Sequence, residues 1–271
     1  MKTTLPRQSN RGPRLPALPA LLALSAALAS GGACAAPGDI VAQVTHLAGV
    51  LTVKRPDGST KFMNVKSQVM EGDVLNTGEE AFARLKFIDS SEMVLRPNSV
   101  LKISEFTFRQ PDPKGDKIRI EMLKGGFRAV SGMVGKRNRE AVSFSLPTAT
   151  IGIRGTHLGA LFCQNDCGGV PTPTGQTPDN GLHVDVAAGA VVVTPNQAPG
   201  LAPSATSPSP ATVLNAGQFG YLPPPRNGVQ PPLVLVPPAQ AVQVRMPASI
   251  SQNAPAGGAT GKTSDPECVV Q

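Results

Sequence analysis

Between Asp39 and Thr194, short apolar runs alternate with Gly, Asp, Asn and Ser punctuation, and no segment sustains a capped helical period. Alternation over a few residues predicts half-buried strands, so the chain is expected to fold as many short β-strands. "HLAGVLTVKRPDGSTKFM" (46–63) predicts a hairpin, because Pro56 presets φ and Gly58 accepts φ > 0 in the turn Pro56-Asp57-Gly58-Ser59. In "AFARLKFID", Ala83, Leu85 and Phe87 fall on one side and Phe82, Arg84, Lys86 and Ile88 on the other, which defines an apolar face. "EMVLRPNSVLKISEF" predicts a further pair of runs turned by Pro97-Asn98, and "RQPDPKGDK" (109–117) a surface loop. Strands follow in "IRIEMLKGGFRAVSG" (118–132) and "AVSFSLP" (141–147), a strand pair in "GLHVDVAAGAVVVTP" (181–195), and a last candidate in "ATVLNAGQFGYL" (211–222).

The first 35 residues have the layout of an export signal. Lys2, Arg7, Arg11 and Arg14 form a basic start, "LPALPALLALSAALAS" (15–30) an apolar stretch, and Ala33 and Ala35 an A-x-A site that places the cut before Ala36. The apolar stretch is interrupted by Pro16, Pro19 and Ser25 and falls short of the roughly 20 residues of a spanning helix, so a cleaved signal and no membrane span are expected. The alternative is a lipoprotein acylated at Cys34, but the preceding Gly31-Gly32-Ala33 lacks the usual leucine. The expected location is periplasmic or secreted. Of the formal charge of +7, those four basic residues carry +4, leaving +3 on the remainder. So diffuse a charge argues against a nucleic-acid binder, which concentrates basic residues on one face.

From Pro195 onward the composition turns to Pro, Ala and Ser, where missing N–H groups oppose a sheet ladder. Residues 39–222 are thus expected to form the β domain. Residues 223–271 are expected to be a Pro-rich, extended or disordered tail, with "LVLV" (233–236) and "AVQVRM" (241–246) as edge-strand candidates.

The glycines of "SLPTATIGIRGTHLGALF" (145–162) invite a search for a phosphate loop. Thr156 follows Gly155 where a P-loop continues with lysine, and no helical pattern succeeds it. Gly152, Gly155 and Gly159 do not fit G-x-G-x-x-G either, and "THLGALF" has the pattern of a strand. The stretch is therefore expected to run strand, turn, strand, with Arg154, Gly155 and Thr156 as a structural turn. Gly155 would supply φ > 0, Thr156 would open the next strand, and Arg154 would hydrogen-bond carbonyls or a carboxylate across the turn.

"CQNDC" allows a small disulfide between Cys163 and Cys167 in an oxidising compartment, with Cys268 left over. His157, Cys163, Cys167 and His183 also offer zinc ligands, although C-x-x-x-C with such distant histidines is not a dependable zinc spacing, and the disulfide is the preferred reading. Neither G-x-S-x-G nor H-E-x-x-H occurs, and the carboxylates of Asp89, Glu92, Glu79 and Glu80 lie in turn-rich stretches where solvated charge is expected. No catalytic residue, cofactor site or metal site is predicted, and the chain is expected not to be an enzyme.

Six segments in succession carry a family resemblance: "EGDVLNTG" (71–78), "DSSEMVLRPNSVLKI" (89–103), "IEMLKGGFRAVSG" (120–132), "FSLPTATIGIRGTHLGALF" (144–162), "VDVAAGAVVV" (184–193) and "LNAGQFGYL" (214–222). Together they resemble the FecR domain over roughly residues 45–222. The resemblance implies an all-β periplasmic module of short stacked strands, solenoid or sandwich-like, used for protein contact and signal relay and bringing no catalytic residues. Its implied partner is an envelope or outer-membrane protein. The family's iron-signalling members pair a Trp-rich cytoplasmic anti-sigma segment with a membrane helix. This chain has no Trp, so a direct anti-sigma role is not expected. The other class of function consistent with exported strands is carbohydrate or peptidoglycan binding, against which a single Tyr and no Trp weigh.

Overall fold

The computed structural model describes residues 38–196 and 210–247, and over these the chain is almost entirely strand. Short elements lead: β1 (Ile40–Ala48), β2 (Leu51–Lys54), β3 (Thr60–Met63), β4 (Gln68–Met70), β5 (Val74–Thr77), β6 (Phe82–Phe87), β7 (Glu92–Leu95) and β8 (Val100–Thr107). Three long strands follow, β9 (Lys117–Val130), β11 (Ala149–Cys163) and β12 (Gly181–Pro195), with the short β10 (Val142–Ser145) before β11. The last strands are β13 (Thr212–Asn215), β14 (Phe219–Leu222) and β15 (Val234–Val236), and the one α-helix among the described residues is α1 (Met133–Arg137).

Each long strand changes partners halfway. Residues 117–124 of β9 pair with β8 and residues 118–121 with β10, whereas residues 127–130 pair with β7 and residues 125–130 with β11. The first half of β11 and the second half of β12 meet each other, flanked by β10 and β13. Their other halves also meet, flanked by β9 and β14. Two half-sheets result, sharing the long strands. Half-sheet A runs β3-β2-β5-β8-β9-β10-β11-β12-β13, and half-sheet B runs β4-β1-β6-β7-β9-β11-β12-β14-β15.

The half-sheets face each other across one core. Phe87 of B stacks on Phe106 of A with ring centroids 5.2 Å apart, and Phe127 of B meets Phe144 of A at 4.9 Å. Val44, Leu85, Leu95 and Val184 from B and Leu75, Ile103, Ile151 and Val193 from A join the same buried cluster. The arrangement is sandwich-like, and Val, Leu, Ile and Phe supply the core of a chain without Trp.

The bends need particular residues. At the bend of β9, Gly125 has φ +81°, and a Cβ there would stand 2.6 Å from Ser99 Cα. Ser99 Oγ donates to Gly126 O and accepts from Gly126 N, both at 2.9 Å. Ser99 N in turn donates to Thr77 Oγ1 at 2.9 Å, whose hydroxyl donates to Arg96 O. Where the ladder breaks, side chains satisfy the backbone. Pro97-Asn98 turns the chain as expected between two runs, but from one half-sheet to the other: β7 and β8 do not pair with each other.

Four expectations are corrected. "SLPTATIGIRGTHLGALF" and "GLHVDVAAGAVVVTP" are not strand pairs but two single strands, β11 and β12, each bent near its middle. Asp89 is buried rather than solvated. Its Oδ1 accepts from Ser91 N at 3.0 Å and its backbone oxygen from Met133 N at 2.8 Å, at the start of α1. Glu92, likewise expected in solvent, pairs with the buried Arg84. Residues 223–247, expected to be extended or disordered, are packed: "LVLV" forms the expected edge strand as β15 beside β14, "AVQVRM" joins no ladder, and Ala241, Val242, Val244 and Gln230 are buried. Prolines exclude a long ladder here but not packing by side chains and by single backbone groups. The signal, the Cys34 alternative, Cys268 and residues 248–271 lie outside the described residues.

Candidate functional site

The segment around Arg154, Gly155 and Thr156 is a bulge within β11, where the long strands pass from A to B. The register runs Arg154 opposite Ala190, then His157 opposite Ala188, so two residues face Gly189. Gly155 (φ +62°) and Gly189 (φ +77°) both occupy left-handed backbone, and a Cβ on Gly189 would stand 2.3 Å from Gly155 O. Thr156 repairs what the bulge interrupts. Its Oγ1 accepts from Arg154 N at 3.0 Å and donates to Ala190 O at 2.8 Å, while its N donates to Ser131 Oγ at 2.8 Å. The Arg154 side chain is exposed and has no hydrogen-bond or ion-pair partner among the described residues, so the expected cross-turn contact is not made. Gly155 and Thr156 thus serve the backbone, whereas the Arg154 side chain does not.

Asp73 behaves alike. Its Oδ2 accepts from Met70 N at 2.8 Å and from Arg55 Nη1 at 2.9 Å, joining the β4–β5 corner to the tip of the β2–β3 hairpin. Burial pushes this carboxyl above its ordinary value, with the Met70 amide and Arg55 pulling it back.

A different chemistry gathers on the outer face of half-sheet B. Arg128 (β9), His157 and Gly159 (β11) and Asp185 (β12) are neighbours across three strands. Arg128 Nε donates to His157 Nε2 at 2.7 Å, and Nη1 donates to Asp185 Oδ1 at 3.1 Å. Over them passes the segment 241–246. Val244 N donates to Asp185 Oδ2 at 3.1 Å and Val244 O accepts from Arg128 Nη1 at 2.9 Å, so a charged pair holds both backbone groups of one residue. Arg245 N donates to Gln243 O at 2.8 Å, closing a three-residue turn that leaves Val244's own groups facing the pair. Gly159 is required beneath: its Cβ would stand 2.6 Å from Val244 Cβ.

Accepting from Arg128 fixes the His157 ring as neutral, with its proton on Nδ1. Burial and then the Arg128 charge hold this imidazole below its ordinary value, against the pull of Asp185. Sequence reasoning missed this trio because its members lie on three strands distant in the chain.

Beside the trio, Cys163 and Cys167 are joined by a disulfide. The cystine, Leu161, Val242 and Val244 form a second apolar cluster, apart from the main core and fringed by Val170 and Met246. His183, also held down by burial, stacks on Tyr221 at 4.8 Å, and its Nε2 bonds to Asp179 O at 2.8 Å. The four residues weighed as zinc ligands therefore have separate tasks. Among the described residues no group of three or more His, Cys, Asp and Glu is placed to hold a metal. Among the same residues no helix is long and apolar enough to cross a membrane.

The family model described as "FecR protein" matches residues 73–192. No curated protein matches the chain. Among solved structures, a "cell surface anchoring domain" is similar at 22% identity over 23% of this chain and 83% of that one, with a TM-score of 0.23. Two crystal structures of a candidate anti-sigma factor from Parabacteroides distasonis ATCC 8503 are similar at 13% identity over 60% of this chain, with a TM-score of 0.38. The likeness spans 58% of that protein's length. The matched residues hold Asp73, Thr77, Ser99, the Gly125 bend and the Gly155–Thr156 bulge, so it is this stretch of the chain that is similar to the FecR family.

Proposed function

We propose that this chain is a non-enzymatic, exported module of the bacterial cell envelope that contacts another envelope protein and relays a signal through that contact. The observation that carries this reading is where the FecR-type residues point. Asp73, Thr77, Ser99 and Thr156 spend their polar atoms on the protein's own backbone, as parts of a scaffold do. What the scaffold presents is side-chain chemistry on the outer face of half-sheet B. The signal-like layout of residues 1–35 supports the location. Cross-linking of residues 36–271 in envelope extract, followed by mass spectrometry, is expected to recover one defined membrane or secretion protein. Retention on cell-wall polymer alone would contradict the reading.

One observation favours carbohydrate binding as a second reading. A cavity of about 450 Å³ is lined by Thr172, Thr174, Gln176, Asp179, His183 and Tyr221, an aromatic pair among hydroxyl and amide groups. Co-sedimentation with purified peptidoglycan, lost on Tyr221→Ala, would support it. Its absence would leave the protein-contact reading in place.

A further inference from the structure

The segment 241–246 sits where a ligand would sit. It lies beyond the residues of the family match, it joins no sheet ladder, and prolines bound it at Pro237, Pro238 and Pro247. Val244 is nonetheless fully buried and Val242 almost so, on an apolar seat of Leu161 and the cystine that is distinct from the main core. The contact has two parts. A charged pair, Arg128 and Asp185, grips the main chain of one residue independently of its side chain. The seat then selects apolar residues two apart, with the polar Gln243 between them. Main-chain capture plus alternate side-chain pockets is how protein modules bind short peptides.

We propose that the outer face of half-sheet B is a docking groove for a short apolar-polar-apolar peptide of an envelope partner. Residues 241–246 occupy it in cis and are displaced when that peptide binds. The inference rests on the protein-contact reading above and names its site. The partner's chemistry follows from the cis occupant: one valine-sized residue offering a free N–H and C=O together, with a second valine-sized side chain two residues before it. A groove filled in cis binds its partner only after the occupant leaves, which lowers the apparent affinity until release.

The test uses residues 36–271 in wild-type form and as Val244→Asp, which sets a second carboxylate against Asp185 and expels the segment. A fluorescent peptide of residues 240–247 is the probe, read by anisotropy. Val244→Asp is expected to bind it about tenfold or more tightly than wild type, because the cis competitor is gone. The same peptide carrying Val242→Asp and Val244→Asp is expected not to bind. A folded Val244→Asp protein that binds the probe no better than wild type overturns the proposal. Should that variant fail to fold, hydrogen exchange on the unaltered chain decides. The Val244 amide is expected to exchange by local opening, faster than the Leu158 and Ala160 amides of β11. Exchange as slow as those would overturn the proposal. A doubled mass in light scattering would assign the groove to a second copy's segment and overturn the envelope partner. Probe binding without capture of an envelope protein supports the groove while sinking the contact reading. Capture without probe binding overturns the groove alone.

Discussion

The two half-sheets share β9, β11 and β12 yet live in different surroundings. In A, these strands alternate: Ala149, Ile151 and Ile153 are buried, whereas Thr150, Gly152 and Arg154 are not. The outer face of A carries partly exposed ion pairs, Lys102 with Glu121 at 3.8 Å and Lys117 with Glu105 at 2.9 Å, of a kind that adds little stability. In B, β11 and β12 are buried on both faces. Leu158 to Cys163 and Gly181 to Val186 are continuously buried, and Gly159, Leu161, Cys163, His183 and Asp185 point away from the core. One strand can thus be an ordinary amphipathic edge of a domain in its first half and the floor of a covered groove in its second.

The largest expected effect sharpens this contrast by one charge on each outer face. Leu161→Asp buries an unpaired carboxylate beneath the 241–246 segment and is expected to cost about 3 kcal/mol or more. Ser143→Asp, on the outer face of A, is expected to stay within about 0.5 kcal/mol. Urea unfolding measures both, and equal costs would erase the distinction.

Next comes the boundary between the halves. Gly155→Ala meets no atom within 4 Å and is expected to cost only the left-handed backbone, about 1–2 kcal/mol. Gly189→Ala adds a collision with Gly155 O and is expected to cost about 1 kcal/mol more. Denaturant midpoints of the two variants test the order.

Replacing Cys163 and Cys167 together by serine opens a loop of sequence separation 4 and is expected to cost about 2 kcal/mol by loop entropy. In hydrogen exchange the loosening is expected at Val242 and Val244 and not in the outer strands of A.

The smallest effect is the response to pH. His157 and His183, both on B, are held below their ordinary value, so the unfolded chain binds protons more readily than the native one. Their contribution is complete above about pH 6.5, the unfolded value, and is lost as pH falls from there through the depressed native values. Thermal midpoints between pH 8 and 5 should fall on the acid side. His157→Gln keeps an acceptor for Arg128 and should flatten that fall.

The short early strands of both half-sheets were the legible part. Ala83, Leu85 and Phe87 face the core as their alternation predicts, and the Pro56–Ser59 turn closes its hairpin with Arg55 N donating to Ser59 O at 2.8 Å. The FecR segments were legible too, since turn and bulge residues recur in order along the chain. The bends were not, because a bulge and a turn make the same demand on Gly155, a positive φ. Nor was the groove. Arg128, His157, Asp185 and Val244 come together only through strand register and a segment whose prolines suggest disorder. Nothing in the local pattern of "AVQVRM" marks Val244 as buried.

The most direct test of which face makes the contact is envelope capture by three forms of residues 36–271: wild type, Ser143→Asp on A, and Val244→Asp on B. The account predicts that the same defined envelope protein is recovered by all three, at unchanged yield with Ser143→Asp and higher yield with Val244→Asp. Loss of capture with Ser143→Asp, and none of the expected gain with Val244→Asp, would contradict it.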